Sequence, residues 1–143
     1  SLAEARRAIH ALATPRLDRD DLPAAVASAA RRWAEANAVQ VSVHVEGETR
    51  PTDHDETLLR AAQEALANAA RHSGAARVAV TLTYDEREVR LDVRDDGCGF
   101  EPDRVTPGNG LTGLRQRVAA TGGSLEIETG AGEGCAVSVA VPA

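Results

Sequence analysis

The chain has 143 residues, a length typical of one domain, and its 22 acidic and 16 basic residues give a net charge of −6 at pH 7. This charge excludes a broad basic surface for nucleic acid or for an anionic membrane, so any phosphate would be bound locally. The two cysteines, Cys98 and Cys135, have neither metal-site spacing nor the density of a secreted disulfide scaffold. No apolar stretch reaches the length of a signal peptide or membrane span, and we expect a cytoplasmic setting.

The first residues carry the pattern of a helix that packs on a partner. Apolar residues recur at spacings of three and four from Leu2 to Leu12, and Pro15 ends the pattern. The chain begins with Ser and contains no Met, which favours an excised piece of a longer protein. We therefore expect residues 1–15 to be the end of a linker helix and residues 16–143 to form the domain itself.

Helical and strand patterns alternate along the rest of the chain. Apolar residues at a spacing of three to four predict helices, and strict alternation predicts half-buried strands. The predicted elements are a helix over 22–36, a strand over 39–45, a helix over 53–72, strands over 78–84 and 89–93, a helix over 111–121, and a last hairpin of 125–127 with 135–141. This order predicts an α/β two-layer sandwich, with a mixed sheet of about five strands and about three helices on one face.

The longest predicted helix gathers polar residues on one side. They lie within an arc of roughly 100° at the helical spacing of 100° per residue, and they are Glu64, Asn68, Arg71 and His72. An amide or carboxylate oxygen can complete the shell of Mg²⁺, and a guanidinium can bind phosphate oxygens. The alternative is that these residues form only the solvated face of an amphipathic helix.

A second motif, Asp95-Asp96-Gly97-Cys98-Gly99-Phe100, follows the predicted strand that ends at Val93. The apolar residues of that strand and Asp95 are all odd-numbered, so the carboxylate is predicted to point toward the buried face. A buried carboxylate needs a donor, which the exocyclic amine of adenine could supply, while glycines allow a flat base to approach the backbone. The alternative is a simple turn in which Asp95 bonds to nearby backbone amides.

A third motif is rich in glycine and precedes a predicted helix, whose first amides could hold phosphate oxygens. It reads Gly108-Asn109-Gly110-Leu111-Thr112-Gly113 and also matches the dinucleotide-binding pattern G-x-G-x-x-G. That pattern requires a strand immediately before the first glycine, whereas residues 102–107 contain two prolines and no alternation. The context therefore argues against a dinucleotide site.

The order and spacing of these motifs resemble the GHKL ATPase superfamily, whose members have the Bergerat fold. The stretch AAQEALANAARHSGAARV is similar to the N box of sensor histidine kinases, in the subfamily that feeds helix-turn-helix response regulators. The stretches VRDDGCGF and GNGLTGLRQRVAATGGSLEIETGAGEG are similar to the other two boxes. The resemblance covers residues 20–142 and implies the Bergerat form of the α/β sandwich, with ATP and Mg²⁺ as cofactors.

The resemblance implies a role for each matching residue at the phosphate end of the nucleotide. Asn68 would be the Mg²⁺ ligand, and Glu64 would be the general base or the group that polarises the attacking atom. Two basic positions and the glycine-rich turn would surround the phosphates; they are Arg71, His72, Gly108, Gly110, Leu111, Thr112 and Gly113.

At the base end, the resemblance implies that Asp95 accepts a hydrogen bond from the adenine amine and that Gly97 and Gly99 border the ring. Cys135 stands where the family commonly has Thr, whose hydroxyl helps to hold the base through water. A thiol is a much weaker donor, so we expect reduced nucleotide affinity.

The reaction implied by the resemblance is transfer of the γ-phosphoryl group of ATP to a histidine on a separate dimerisation domain. The expected partners are that domain, which this sequence lacks, and a response regulator. None of the histidines here has the context of an acceptor, so the fragment is expected to be monomeric and unable to phosphorylate itself. The parent protein, with or without a membrane anchor, is expected to be a homodimer.

Two alternatives remain. An anti-sigma serine kinase would have a similar pocket but would phosphorylate a protein serine; the N-terminal helix and the hairpin over 122–141 favour the histidine kinase over it. A regulatory module would bind ATP without transferring phosphate, and Cys135 is the reason to consider it.

Overall fold

The structure is a computed structural model, and it describes residues 21–72, 77–97, 110–129 and 134–143. These residues form three helices and five strands. The helices are α1 (Leu22–Asn37), α2 (Asp55–His72) and α3 (Gly110–Ala120); the strands are β1 (Gln40–Glu46), β2 (Arg77–Tyr84), β3 (Glu88–Asp95), β4 (Ser124–Thr129) and β5 (Cys135–Pro142). The predicted α/β class, mixed sheet and helix number are confirmed, whereas the predicted linker helix over 1–15 lies outside the described residues.

The five strands form one sheet in the order β1-β2-β3-β5-β4. β1 and β2 are parallel, and all other neighbours are antiparallel. A parallel pair needs a crossover connection, and α2 supplies it between β1 and β2. The three helices pack on one face of the sheet, with α2 over β3 and β5, α1 beside β1 and α3 beside β4.

Helix α1 begins where the sequence places its start signal. Asp21 is the N-cap, and its side chain accepts a hydrogen bond of 2.9 Å from the backbone N–H of Ala24. The predicted start of α2 at Asp53 is two residues early. The hydroxyl of Thr52 donates to the Asp55 carboxylate at 2.7 Å, and this local bond fixes the start of the helix at Asp55.

The core lies between the helices and the alternating side chains of the sheet. Cross-strand pairs such as Val80 with Val93 and Leu82 with Leu91 point toward the helices and are buried. The buried face of α2 carries four alanines, Ala61, Ala62, Ala65 and Ala69. Small side chains let a helix lie close to the sheet, so α2 brings its last turns near the strand ends.

Candidate functional site

The chain topology gathers the predicted site elements at one end of the sheet. β3 ends at Asp95, which pairs with both Val78 at the start of β2 and Cys135 at the start of β5. Because α2 leads into β2, its C-terminal turns lie at this end. β4 starts at the far end of the sheet, where Ser124 pairs with Ala140, and ends here, where Thr129 pairs with Cys135. Because α3 leads into the start of β4, α3 itself begins at this end. We call this region, where β3 ends, the Asp95 end of the sheet.

The Asp95 side chain is buried, with 8% of its surface exposed, as strand parity predicts. Burial raises the pKa of this carboxyl, and the backbone N–H groups of Gly97 and Cys135 partly offset that effect. The N–H of Gly97 donates to Oδ1 at 3.0 Å. The structure therefore confirms the predicted burial and also shows the local amide bonds of the turn alternative, whereas the contact with adenine stays a prediction. An ionised carboxylate accepts up to about four hydrogen bonds, so Asp95 retains capacity for a ligand donor.

Gly134, directly before β5, lets the chain pass close to the backbone of Asp95. Its φ of 75° lies in the left-handed region, and a Cβ at this position would overlap the carbonyl oxygen of Asp95. The next residue, Cys135, has 6% of its surface exposed and forms no disulfide within the described residues. The base-end residues Asp95, Gly97 and Cys135 are therefore brought together, whereas Gly99 lies outside the described residues.

Asn68 lies in the last turns of α2 and has only 3% of its surface exposed. Its Oδ1 is buried and has no hydrogen-bond partner among the described residues. Glu64 lies one turn earlier and is half-buried. The alternative of a merely solvated helix face is wrong for Asn68. A buried amide oxygen without a donor costs about 1–3 kcal/mol, which a cation or a ligand donor would relieve.

The glycine-rich motif enters α3, which begins at Gly110. Gly113 is exposed in the first turn of this helix, and Leu114 beside it is buried. The remaining predicted phosphate contacts are not described at the side-chain level or lie outside the described residues; they are Arg71, His72, Gly108, Leu111 and Thr112. Their roles stay predictions.

A cavity of about 250 Å³ is lined by residues of both α2 and α3 beside Glu64, and the sequence analysis did not predict it. We call it the α2–α3 groove; its lining residues are Arg60, Gln63, Glu64, Gly113, Leu114 and Arg117. Helical periodicity gives only part of the signal for it. Arg60 lies four residues before Glu64, and Arg117 lies four residues after Gly113, so each pair shares a helix face.

Two general properties bear on the site. Within the described part of the chain, no group of three or more His, Cys, Asp or Glu side chains is placed to hold a metal. In the same ranges, no helix has the length and apolar character required to cross a bilayer.

The sequence of residues 53–143 matches the family described as histidine kinase-, DNA gyrase B- and HSP90-like ATPases. This match covers more than half of the chain, and the chain therefore belongs to that family. ATP binding follows from the family, while no comparison tests Mg²⁺ or the individual site residues.

Within the family, the chain is similar to sensor histidine kinases. It is 38% identical over 89 residues to the sensor histidine kinase LiaS of Bacillus subtilis, which covers 62% of this chain and 25% of LiaS. It is 33% identical over 135 residues to the sensor histidine kinase MctS of Rhizobium johnstonii, covering 90% of this chain and 29% of MctS. The chain thus spans about a quarter of these relatives.

The structure is similar to that of the mycobacterial sensor histidine kinase MprB, with a TM-score of 0.63, 25% identity, and coverage of 82% of this chain and 92% of that one. The histidine kinase domain of a blue-light-activated kinase from Erythrobacter litoralis gives a TM-score of 0.64 at 25% identity, over 85% of this chain and 60% of that one. The expected ATP-binding catalytic domain of a histidine kinase is confirmed.

Proposed function

We propose that the chain binds Mg-ATP at the Asp95 end of the sheet and transfers the γ-phosphoryl group to a histidine on a separate dimerisation domain of its parent protein. One observation carries this proposal. The same end of the sheet buries a carboxylate with spare acceptor capacity, Asp95, and an amide oxygen without a partner, Asn68. A ligand that presents an amine at one end and a cation at the other would satisfy both.

At the base end, the Asp95 carboxylate would accept the exocyclic amine of adenine. Gly97 and Gly99 would let the ring lie against the backbone. Cys135 is buried beside Asp95, where its thiol would be a weaker partner for water at the base than a hydroxyl. The two backbone amides already bonded to Asp95 hold its carboxylate in place before the nucleotide arrives.

At the phosphate end, Asn68 Oδ1 fits Mg²⁺, because it is a buried oxygen without a donor. When bound, the ion would neutralise charge on the phosphates. Basic side chains and the first amides of α3 would hold the phosphate oxygens; the residues are Arg71, His72, Gly108, Gly110, Leu111, Thr112 and Gly113.

In the transfer step, an imidazole nitrogen would form a bond to the γ-phosphorus while the bond to the leaving oxygen of ADP breaks. Glu64 would accept or orient the N–H proton of the imidazole, since it is half-buried one turn from Asn68. Most of the rate enhancement would come from positioning and charge stabilisation rather than from a covalent enzyme intermediate.

The partners follow from this reaction and from the printed names of the relatives, which are sensor histidine kinases. We propose that the parent supplies a homodimeric acceptor domain through a linker that includes residues 1–15, and that residues 16–143 form the catalytic domain. A response regulator would then receive the phosphoryl group. Because ATP is a cytoplasmic cofactor, the domain would act in the cytoplasm. The isolated chain would be a monomer.

The first test is a calorimetric titration of Mg-ATP against the wild type, Asp95→Asn and a matched control, Asp92→Asn. Asp92 lies on the same strand but on the opposite face. We expect binding to the wild type and Asp92→Asn and a large loss in Asp95→Asn. Equal binding by all three proteins, or by none, would remove the pocket assignment.

The second test adds γ-labelled ATP and the parent's helical acceptor fragment. Acid-labile label on a histidine is the expected result. Acid-stable label on a serine would instead support the serine-kinase alternative. Tight ATP binding without any transfer would support the regulatory module, for which Cys135 is the specific reason.

A further inference from the structure

The sheet has two edge strands, β1 and β4, and they differ in how their free edges are protected. Strand β1 stands at one end of the order β1-β2-β3-β5-β4 and pairs only with β2 among the described residues. Every second residue of an edge strand directs its N–H and C=O away from the sheet, so β1 presents a row of free backbone groups. Such an edge is a template for pairing with another strand.

Strand β1 lacks the features that usually prevent such pairing. Its seven residues, Gln40–Glu46, contain no Pro, Gly or Lys, and all of them pair with β2 in a continuous register without a bulge. On the side of the helices, Val41 and Val43 are half-buried, and Val45 is the single exposed large hydrophobic residue of the described ranges, at 37%. The edge therefore leaves both backbone groups and apolar side chains incompletely covered.

Strand β4, at the opposite edge, is protected against a second copy of itself. The guanidinium of Arg115 on α3 donates to the Leu125 carbonyl at 3.2 Å, so a side chain of the domain already occupies one backbone acceptor of this strand. Glu126 and Glu128 are exposed on the face of the sheet away from the helices. In an antiparallel β4 pair, the longest registers that keep each side chain on its own face place Glu126 opposite Glu126 or Glu128 of the second copy. Like charges directly opposite each other destabilise a sheet.

The sequence of β1, by contrast, is complementary to itself in the opposite direction. Because the strand has seven residues, a two-fold axis at Val43 pairs all of them and keeps every side chain on its own face. The opposed pairs are then Gln40 with Glu46, Val41 with Val45, Ser42 with His44, and Val43 with itself. An amide thus meets a carboxylate, valine meets valine, a hydroxyl meets an imidazole, and no like charges are opposed.

We infer that β1 pairs antiparallel with β1 of a second copy of this chain, so that two five-stranded sheets join into one continuous sheet. The self-complementarity of β1 selects a second copy over an unrelated peptide. The bond from Arg115 to the Leu125 carbonyl disfavours the head-to-tail alternative, in which β1 would pair with β4. This inference goes beyond the proposed reaction and does not depend on it.

The pairing leaves both nucleotide sites accessible. The start of β1 lies at the Asp95 end, because Val41 pairs with Val78 and Val78 pairs with Asp95. In an antiparallel pair, the start of one β1 lies beside the end of the other. The two Asp95 ends therefore point in opposite directions, and association does not compete with a nucleotide.

The size of this interface sets its strength. An interface made of one pair of seven-residue strands is smaller than the about 1,200–2,000 Å² of a stable complex, so we expect a Kd of about 0.1–1 mM. The isolated chain would therefore stay monomeric at micromolar concentration. Two domains that a flexible linker tethers in a homodimeric parent reach a millimolar effective concentration, which is enough to populate the pair.

The first experiment changes the charge of one opposed pair. Gln40→Lys would place an ammonium group opposite Glu46 of the second copy, twice per dimer, whereas Gln40→Glu would place a carboxylate there. Gln116→Lys and Gln116→Glu are matched controls, because Gln116 is an exposed glutamine on α3 and the changes in net charge are the same. Sedimentation equilibrium from about 10 µM to about 1 mM brackets the expected Kd. Thermal unfolding checks that each variant is folded.

We expect Gln40→Lys to lower the Kd about 2- to 10-fold and Gln40→Glu to raise it by a similar factor, since each dimer contains two such cross-strand charge pairs. Both Gln116 variants should match the wild type. Added salt should reduce the difference between the two Gln40 variants, because the opposed charges are exposed.

The second experiment tests the register with cysteines. Ser42→Cys and His44→Cys are oxidised under mild conditions, each alone and as a mixture, at a concentration near the Kd. In the two-fold register, Ser42 lies opposite His44 of the second copy, and directly opposed residues are within the distance that a disulfide spans. The mixture should therefore form a 42–44 bond faster than either variant links to itself. Mass spectrometry separates this bond from any that involve Cys98 or Cys135.

A wild-type chain that stays monomeric at about 1 mM would overturn the inference. Equal Kd values for the two Gln40 variants would also overturn it, because association would then not involve β1. Faster self-linking of one cysteine variant would contradict the register, and oligomers larger than a dimer would show head-to-tail pairing instead. ATP binding and transfer are measured on the dilute monomer, so none of these outcomes bears on the proposed reaction.

Discussion

The two ends of the sheet use the same backbone arrangement around different polar residues. At the Asp95 end, Gly134 packs on the carbonyl of Asp95; at the other end, Gly47 packs on the carbonyl of Tyr84, again at a positive φ of 86°. Both polar side chains are buried. The difference lies in what surrounds them. Asp95 lies beside Cys135 and at the same end as the Asn68 amide oxygen, which has no partner among the described residues. The Tyr84 ring is instead covered by the Arg50 guanidinium at 5.8 Å.

Under the proposed function, this difference separates the end of the sheet that binds the nucleotide from an end whose polar residues only stabilise the fold. The Tyr84 hydroxyl has no partner among the described residues, and burial and the nearby Asp55 and Asp21 raise its pKa to about 12. The Tyr84 hydroxyl is therefore a neutral group at pH 7, and it lies near the carboxylates of Asp55 and Asp21. The Asp95 end instead holds two buried acceptors, the Asp95 carboxylate and the Asn68 amide oxygen. A ligand with a hydrogen-bond donor and a positive charge would satisfy both. Burial of a polar group alone therefore does not identify a ligand site. The kind of partner that the buried group lacks, a donor or a cation at the Asp95 end, is the more informative property.

The largest expected effect is a loss of stability on substitution of either Gly134 or Gly47, with a loss of Mg-ATP binding at Gly134 alone. Gly134→Ala and Gly47→Ala should each destabilise the domain by about 2–4 kcal/mol, because both combine a left-handed φ with overlap of a backbone carbonyl. Urea unfolding measures the loss. Under conditions where both variants are folded, only Gly134→Ala should weaken Mg-ATP binding. Weakening by both would contradict the assignment of the Tyr84 end as structural.

The next effect concerns Asn68. Replacement by leucine, which has a similar volume, removes the buried amide oxygen that has no partner among the described residues, so Asn68→Leu should raise the free energy of unfolding by up to about 1–2 kcal/mol. The same change should abolish the increase in ATP affinity on adding Mg²⁺. Thermal unfolding and titrations with and without Mg²⁺ measure the two effects. A variant that keeps the Mg²⁺ dependence would show that Asn68 is not the ligand.

Tyr84→Phe should change stability by less than about 1 kcal/mol at pH 7, since the hydroxyl has no partner to lose. The folded pKa of about 12 lies above the ordinary value of about 10, so the unfolded chain loses its proton first. Wild-type stability should therefore fall between pH 10 and pH 12. The phenylalanine variant should lack this slope.

Tyr84 is the sole tyrosine of the sequence. Its ionisation can therefore be followed directly by absorbance at alkaline pH. A midpoint near the ordinary tyrosine value in the folded wild type would contradict the burial of this hydroxyl.

The smallest expected effect is at Cys135. A hydroxyl at this position should improve ATP affinity by about 2- to 5-fold, because a hydroxyl holds water better than a thiol. Cys135→Thr and Cys135→Ser should therefore both bind more tightly than the wild type, and Cys135→Ala should not. Calorimetry of the four proteins side by side measures the order. A gain in the alanine variant would mean that packing, rather than hydrogen bonding, controls the affinity.

Sequence pattern predicted the features that depend on local period. Alternation along β3 placed Asp95 on the buried face, and helical spacing put Glu64 and Asn68 on one side of α2. Burial of Asn68 was left open, since it depends on how α2 meets the rest of the fold. The contact of Gly134 with the Asp95 carbonyl follows from the β3–β5 register, which no local pattern sets.

The α2–α3 groove escaped prediction for a similar reason. Periodicity places Arg60 with Glu64 and Arg117 with Gly113, but it does not show that the two helices face each other. That relation arises from the topology, which returns α3 to the Asp95 end. The sequence argued against a dinucleotide motif before α3 because residues 102–107 contain two prolines and no alternation, and the family match agrees with that interpretation.

The most direct measurement compares the two ends in one titration series. Mg-ATP is titrated into the wild type, Asp95→Asn and Tyr84→Phe under the same conditions, with circular dichroism to confirm folding. We expect Tyr84→Phe to bind like the wild type and Asp95→Asn to lose about 10- to 100-fold in affinity, the range for a hydrogen bond to a charged acceptor. Retained affinity in folded Asp95→Asn, or loss in Tyr84→Phe, would contradict the location of the ATP site at the Asp95 end.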